Sequence, residues 1–189
     1  MQVLQSEFSG KPIMGVHTGE QLCVVTGFVV HPGNLKIILF IASAPLQKQP
    51  YYLLPNSIRF ADSKRLIIDS AQSLSEFDEL VRYQHDILHN FNPIKKKVIT
   101  QSGKKLGTVV DFSFDNQHNF IQKLYVRASF FKRFLQAQFI IDRNSVIETT
   151  PNSIIVKDTV DELPATIKSP LPNKPPAKGL ARSIKKSPN

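Results

Sequence analysis

Short runs of alternating hydrophobic and polar residues extend through most of the chain. The runs are rich in Val, Ile and Phe, and Gly, Pro, Asn or Ser residues bound them. Alternation with a period of two is typical of strands that bury one face, and the bounding residues favour turns. The predicted strands are Leu22–Val30, Leu35–Ala42, Tyr51–Leu54, Ile58–Ala61, Arg65–Asp69, Leu106–Phe114, Phe120–Ala128, Gln138–Ile141, Val146–Thr149 and Ile154–Lys157.

The same succession of strands and turns occurs twice. Two turns, Thr18-Gly19 and Ser102-Gly103, occupy the same place in the two copies. An internal repeat indicates the architecture before any local assignment is made, and this one predicts two units of the same fold. The aligned segments are Lys11–Leu22 with Lys95–Leu106, Leu39–Ile41 with Leu124–Val126 after one inserted residue, Asn56–Ile58 with Asn144–Val146, and Leu66–Ile68 with Ile154–Val156.

Many short strands joined by turns favour a small antiparallel β-barrel in each copy, because closing a sheet hides its edges. A unit of this size is marginally stable alone, so we expect the barrels to dock or to share the segment between them. The predicted fold class is mostly β, with two tandem small antiparallel β-barrels, one joining helix and a disordered basic C-terminal tail. The predicted bounds are 8–70 for the first barrel, 71–93 for the helix, 94–158 for the second barrel and 159–189 for the tail.

One helix is predicted between the copies. Ser73 and Glu76 fit a capping box at its start, and Pro93 ends it. The apolar residues at helical spacing on one face are Phe77, Leu80, Val81, Leu88 and Phe91.

Positive charge is concentrated in the second half of the chain. The net charge is +9, and residues 94–158 carry eleven Lys or Arg against five Asp or Glu. In the tail, prolines alternate with lysines, which favours disorder. This distribution favours a polyanionic partner, either RNA, DNA, an anionic membrane surface or an acidic protein, and it also serves solubility.

Two segments are candidate binding sites. The lysines that flank the first hairpin strand of the second copy form either a basic patch for phosphates or a charged edge that discourages edge pairing. The aromatic and cationic stretch that follows Ala128 has no aromatic counterpart in the first copy. It could stack nucleic-acid bases, dock a protein partner, dip into a membrane surface or belong to the core. The lysines are Lys95, Lys96, Lys97, Lys104 and Lys105, and the stretch is Phe130, Phe131, Lys132, Arg133 and Phe134.

Residues that could carry catalysis are sparse. Cys23 is the single cysteine, and a strand cysteine without a neighbouring base is usually inert packing. His85 and His89 have the spacing of a metal pair but lack the glutamate of a zinc protease motif, so a solvated polar flank is favoured. We expect no enzyme activity, no metal, no cofactor and no small-molecule substrate.

The N-terminal residues show no basic region followed by an apolar core, so no signal peptide is expected. The longest apolar stretch, Ile37–Ala42, is far shorter than the roughly 20 residues of a membrane-spanning helix. We therefore expect a cytoplasmic protein.

The opening of each copy carries a glycine-rich pattern. It runs from Gly10-Lys-Pro-Ile13 to Gly19-Glu-Gln-Leu22-Cys-Val-Val25 in the first copy, and through Gly103-Lys-Lys-Leu106-Gly107-Thr-Val109 in the second. This pattern resembles the PRC-barrel domain, a family that includes part of a photosynthetic reaction-centre subunit and half of a ribosome maturation factor. The resemblance implies a docking barrel, hence a non-enzymatic adaptor for a protein partner. The alternative is an RNA- or ribosome-associated maturation factor that uses the basic second barrel, and membrane-surface association is a weaker option.

Overall fold

The computed structural model describes residues 2–128 and 138–159. The protein is mostly β, as predicted. The predicted tail lies outside the described residues, except for its first residue. No helix within the described residues has the length and apolar composition needed to cross a membrane. The strands are β1 (Gln2–Leu4), β2 (Pro12–Gly15), β3 (Gln21–His31), β4 (Lys36–Ser43), β5 (Tyr51–Leu53), β6 (Ile58–Ala61), β7 (Leu66–Ile68), β8 (Leu74–Ser75), β9 (Lys97–Thr100), β10 (Lys105–Asp115), β11 (Ile121–Ala128), β12 (Gln138–Asp142), β13 (Val146–Thr149) and β14 (Ser153–Val156); the helices are α1 (Gln5–Phe8) and α2 (Gln84–Leu88).

The strands form two curled, seven-stranded sheets, one for each copy of the repeat. The first has the order β6-β7-β2-β3-β4-β5-β8. The second has the matching order β13-β14-β9-β10-β11-β12, and β1 pairs with β10 in addition. Neighbouring strands are antiparallel, as expected, except that β2 pairs with β7 and β9 with β14 in parallel. More than thirty residues separate the strands of each parallel pair, so the chain has room to return in the same direction.

The strand register corrects the repeat alignment. Phe28 pairs with Phe40 in the first copy, and Phe112 pairs with Leu124 in the second. The inserted residue that the sequence suggested is therefore wrong, because Leu39 corresponds to Lys123 and not to Leu124. The alignment matched hydrophobic residues, but the two equivalent positions differ in burial. The linker covers Leu39 on the outer face of the first sheet, whereas Lys123 is half-exposed.

The predicted linker helix is wrong. The segment instead forms β8, two 3₁₀ turns at Phe77–Glu79 and Val81–Tyr83, and the short helix α2. The capping box is present one turn later than predicted, between Glu76 and Glu79. The apolar side chains face different surfaces, which no single straight helix could reach. Leu80 packs on the outer face of the first sheet, Phe91 joins the central core, and Val81 and Leu88 are exposed.

One hydrophobic core serves both copies. At its centre the rings of Phe28 and Phe112 lie 5.7 Å apart, and each belongs to the long strand of its own copy. Phe8, Phe40 and Phe114 surround this pair, with ring centroids between 5.1 and 6.4 Å from one another. Each copy thus buries its apolar surface against the other, which offsets the small core that a unit of this size can form alone.

The short segment that precedes each copy in the chain pairs with the other copy. We call these two segments the entry segments. Val3 in β1 pairs with Phe114 of the second copy, although it precedes the first copy in the chain. Phe91 precedes the second copy and bridges to Val30 of the first, at the position that corresponds to Phe114. The buried Asp111 carboxylate fixes the N-terminal segment, since it accepts hydrogen bonds from the backbone N–H and the hydroxyl of Ser6, at 3.3 and 2.5 Å.

Candidate functional site at the junction of the two copies

The tips of the β3–β4 and β10–β11 hairpins meet at a pseudo-two-fold axis. The Ile37 N–H donates to the Asn119 carbonyl at 2.7 Å, and the Ile121 N–H donates to the Leu35 carbonyl at 3.0 Å. Leu35 and Asn119 both adopt positive φ, 57° and 61°, which turns each chain toward its partner hairpin. Lys36 and Phe120 pair across the axis itself. The junction is thus a continuous backbone contact between the copies.

One flank of this junction is closed by a direct hydrogen bond. The Thr149 hydroxyl at the end of β13 donates to the carbonyl of Pro32, in the β3–β4 turn, at 3.0 Å. The bond ties the edge strand of the second copy to the hairpin of the first.

The opposite flank holds a crevice of about 260 Å³. The positions that correspond to Thr149 and Pro32 are Ala61 and Asn116, and both line this space. Alanine has no hydroxyl, so the bond that closes the first flank has no equivalent here. The pseudo-symmetry is therefore broken in a way that leaves one flank open. The other lining residues are Phe8, Phe40, Pro55, Ile58, Arg59, Phe60, Phe114 and Asn119.

The crevice combines a buried aromatic lining with an exposed rim. Phe8, Phe40 and Phe114 are almost fully buried, whereas the Phe60 side chain on β6 is 54% exposed. Beside it, Arg59 donates two hydrogen bonds to the Asp69 carboxylate, at 2.8 and 3.0 Å. These bonds raise the pKa of Arg59 and lower that of Asp69. The rim therefore presents an exposed ring next to an oriented ion pair.

A buried lysine fixes the turn that carries this rim. The Lys11 ammonium donates to the Asp62 carbonyl at 2.7 Å and lies 4.9 Å from the centre of the Phe8 ring. Its burial lowers the pKa of Lys11, and the nearby Asp62 carboxylate opposes this shift. Asp62 also accepts hydrogen bonds from the backbone N–H groups of Lys64 and Arg65, which lower its pKa. The turn between β6 and β7 is thereby held against the core.

The β9–β10 hairpin carries the lysines of the predicted basic patch. The hairpin register places Lys105 opposite Ile99, at the turn end of β9, and Lys97 opposite Thr108, at the other end. The Lys96 ammonium donates to the Pro151 carbonyl and lies 5.9 Å from the Phe91 ring centre. The five predicted lysines, Lys95, Lys96, Lys97, Lys104 and Lys105, are consequently divided between the two ends of the strand.

The predicted docking stretch, Phe130, Phe131, Lys132, Arg133 and Phe134, lies outside the described residues. The matching loop of the first copy is described, and it presents Leu46 fully exposed at a positive φ of 86°.

Of the candidate chemical residues, Cys23 lies in the core, whereas His85 and His89 lie on the surface at α2. Cys23 is fully buried, and burial raises its pKa to about 11. The His85 and His89 rings stack with their centroids 4.4 Å apart, and the His89 ring nitrogen contacts the His85 carbonyl at 3.0 Å. Within the described ranges, no group of three His, Cys, Asp or Glu side chains is arranged to hold a metal ion.

Comparison with known protein families identifies the second copy, whose strands β9 to β14 form a curled sheet with a buried interior. Residues 86–163 match the PRC-barrel domain. The match covers less than half of the chain and includes the whole described second copy. A comparison with curated proteins finds no match. The PRC-barrel domain thus accounts for one of the two sheets, and its contact with the other sheet creates the crevice.

Sequence reasoning missed Arg59 and Phe60. Phe60 occupies an edge strand in which a bulge between Ile58 and Phe60 interrupts the alternation, so its exposure could not be read from the pattern. A signal was nevertheless present, since the second copy has Glu148 at the position of Phe60.

Proposed function

We propose that the protein is a non-enzymatic adaptor that docks a protein partner, and that its first copy is a second PRC-type barrel. The strand order and the register of the central hairpin, which the two copies share, support a common fold. We place the protein in the cytoplasm, because its single cysteine is free and buried, as suits a reducing compartment.

The open crevice carries the docking proposal. Its volume of about 260 Å³ lies below the roughly 300 Å³ at which pockets for drug-sized molecules begin, so it suits single side chains of a larger partner. Interfaces gain most of their binding energy from a few large side chains that enter desolvated pockets. An apolar side chain of the partner would pack on the exposed Phe60 ring at the rim of the crevice, above the buried aromatic residues.

Capture of partners from a lysate of the native cell tests this proposal. Phe60→Ser removes the rim ring. Leu46→Ser is the matched control, since it makes the same kind of change at an exposed site in the loop between β4 and β5. We expect proteins retained by the wild type and by Leu46→Ser to be lost from Phe60→Ser, with melting temperatures nearly unchanged. Nuclease treatment of half of each sample identifies proteins retained through nucleic acid.

Identical capture by all three proteins would contradict docking at the crevice. The stretch from Phe130 to Phe134 is the second proposed contact, and Phe131→Ser with Phe134→Ser tests it separately. Lost capture with an unchanged melting temperature would support docking on this stretch. A large fall in melting temperature would show instead that these rings belong to the core.

A further inference from the structure

Two cations from different copies share one aromatic ring at the junction. The Lys36 ammonium of β4 lies 5.5 Å from the centre of the Phe120 ring, and the Arg143 guanidinium lies 4.6 Å from the same centre. The two positive groups are therefore at most about 10 Å apart. Phe120 itself is half-buried, and Lys36 is exposed.

Neither cation has a carboxylate partner among the described residues. The ion pairs found there are Arg59 with Asp69 and Arg65 with Asp62, and Asp115 contacts the His118 ring.

The two carboxylates nearest in sequence to Phe120 and Arg143 have other partners. Asp142 accepts a hydrogen bond from the Asn144 N–H at 2.9 Å. Asp115 accepts from the ring of His118 and from the Gln117 N–H, and these bonds lower its pKa to about 2. Lys36 and Arg143 therefore keep their positive charge available to an external anion.

We infer that Lys36, Phe120 and Arg143 form a binding site for the phosphodiester groups of single-stranded RNA. Arginine offers a planar fork of donors to phosphate oxygens, and lysine adds a point charge. Each ammonium or guanidinium group is also attracted to the ring, so Phe120 holds both cations at one place on the surface. This site is independent of the crevice and does not use the predicted lysine patch.

The local geometry favours a nucleic acid strand over a membrane. Surface association with lipid usually depends on an amphipathic helix that lies in the interface, whereas the longest helix of the described residues has five residues. A single strand presents a phosphate at each nucleotide, so one strand can meet both cations. The net charge of +9 adds a long-range attraction for the same ligand.

Salt-dependent RNA binding tests the site with the full-length protein. The probe is a fluorescent single-stranded oligouridylate, titrated by anisotropy at several salt concentrations. The test variant is Lys36→Gln with Arg143→Gln. The control is Lys48→Gln with Lys64→Gln, which removes the same charge from two exposed lysines elsewhere.

Each phosphate contact contributes about 0.7 to the slope of log affinity against log salt for single strands. We expect the test variant to lower that slope by about 1.4 and to weaken binding by roughly 25-fold at 0.1 M salt. The control should change neither value appreciably. Lys36→Arg with Arg143→Lys keeps both charges and should restore most of the slope, which separates loss of contact from loss of folding.

Three results would overturn the proposal. The first is absence of salt-sensitive RNA binding by the wild type. The second is an equal change of slope in the test and control variants. The third is unchanged RNA affinity together with reduced binding to vesicles of phosphatidylcholine and phosphatidylserine, which would assign the cations to a membrane.

Discussion

Replacement of Phe8 by alanine gives the most direct measure of the shared core. The Phe8 ring is 2% exposed and lies 5.1 Å from Phe40, 6.0 Å from Phe28 and 5.2 Å from Phe114. A buried Phe→Ala change costs about 3–5 kcal/mol, and aromatic contacts on several sides place this site toward the upper end. We therefore expect Phe8→Ala to lower the free energy of unfolding by about 4 kcal/mol.

Urea denaturation followed by circular dichroism measures this loss. With a slope of about 2 kcal/mol per molar urea, a loss of 4 kcal/mol moves the midpoint by about 2 M. Because the ring contacts both copies, the transition should remain single and move as a whole. Phe60→Ala is the control, since its ring is 54% exposed and should cost less than about 1 kcal/mol.

Two outcomes would refute this reasoning. A midpoint shift below about 0.5 M would mean that the Phe8 ring contributes little to the stability of the shared core. A split into two transitions, of which only one moves, would mean that the two copies unfold independently.

The remaining predictions concern two equivalent strand positions. At Gly107 an added Cβ would lie 2.0 Å from the Arg127 carbonyl oxygen, so Gly107→Ala should cost about 3 kcal/mol of unfolding free energy. At Gly27 the added Cβ would lie an ordinary 3.4 Å from Ile41, so Gly27→Ala should change the melting temperature little. Equal melting temperatures for the two variants would contradict the close approach at Gly107. Cys23 occupies the position of Gly107 in the first copy, and its raised pKa of about 11 keeps it protonated at neutral pH. It should resist a thiol-specific disulfide reagent at about pH 8 until the protein unfolds, and fast reaction of the folded protein would contradict its burial.

The strands were largely predictable from the sequence because their signals are local. Alternation within β3 or β10 and a glycine at the adjoining turn lie within a dozen residues of one another, and the observed strands begin and end close to the predicted bounds. The segment β1 was not predicted, since three residues carry no periodicity. Its partner β10 lies more than a hundred residues away, so only the folded chain defines it as a strand.

The candidate sites were less predictable because they depend on which residues the fold brings together. Charge counted along the chain pointed to the second half, but the paired cations come one from each copy, Lys36 and Arg143. The linker shows the same limit. Leu80 and Phe91 are buried, as expected for an apolar face, but they pack against different surfaces of the protein.

The exchange of entry segments has a consequence for synthesis on the ribosome. The pairing partner of Val3 is Phe114, which is synthesised 111 residues after it. At roughly 5–20 residues per second, the N-terminal segment waits about 6–22 seconds for its site to exist. Phe8 and the apolar face of the first sheet remain open to water during that interval. The nascent chain is therefore most exposed to aggregation and to chaperones after its first copy has been synthesised but before the second copy is present.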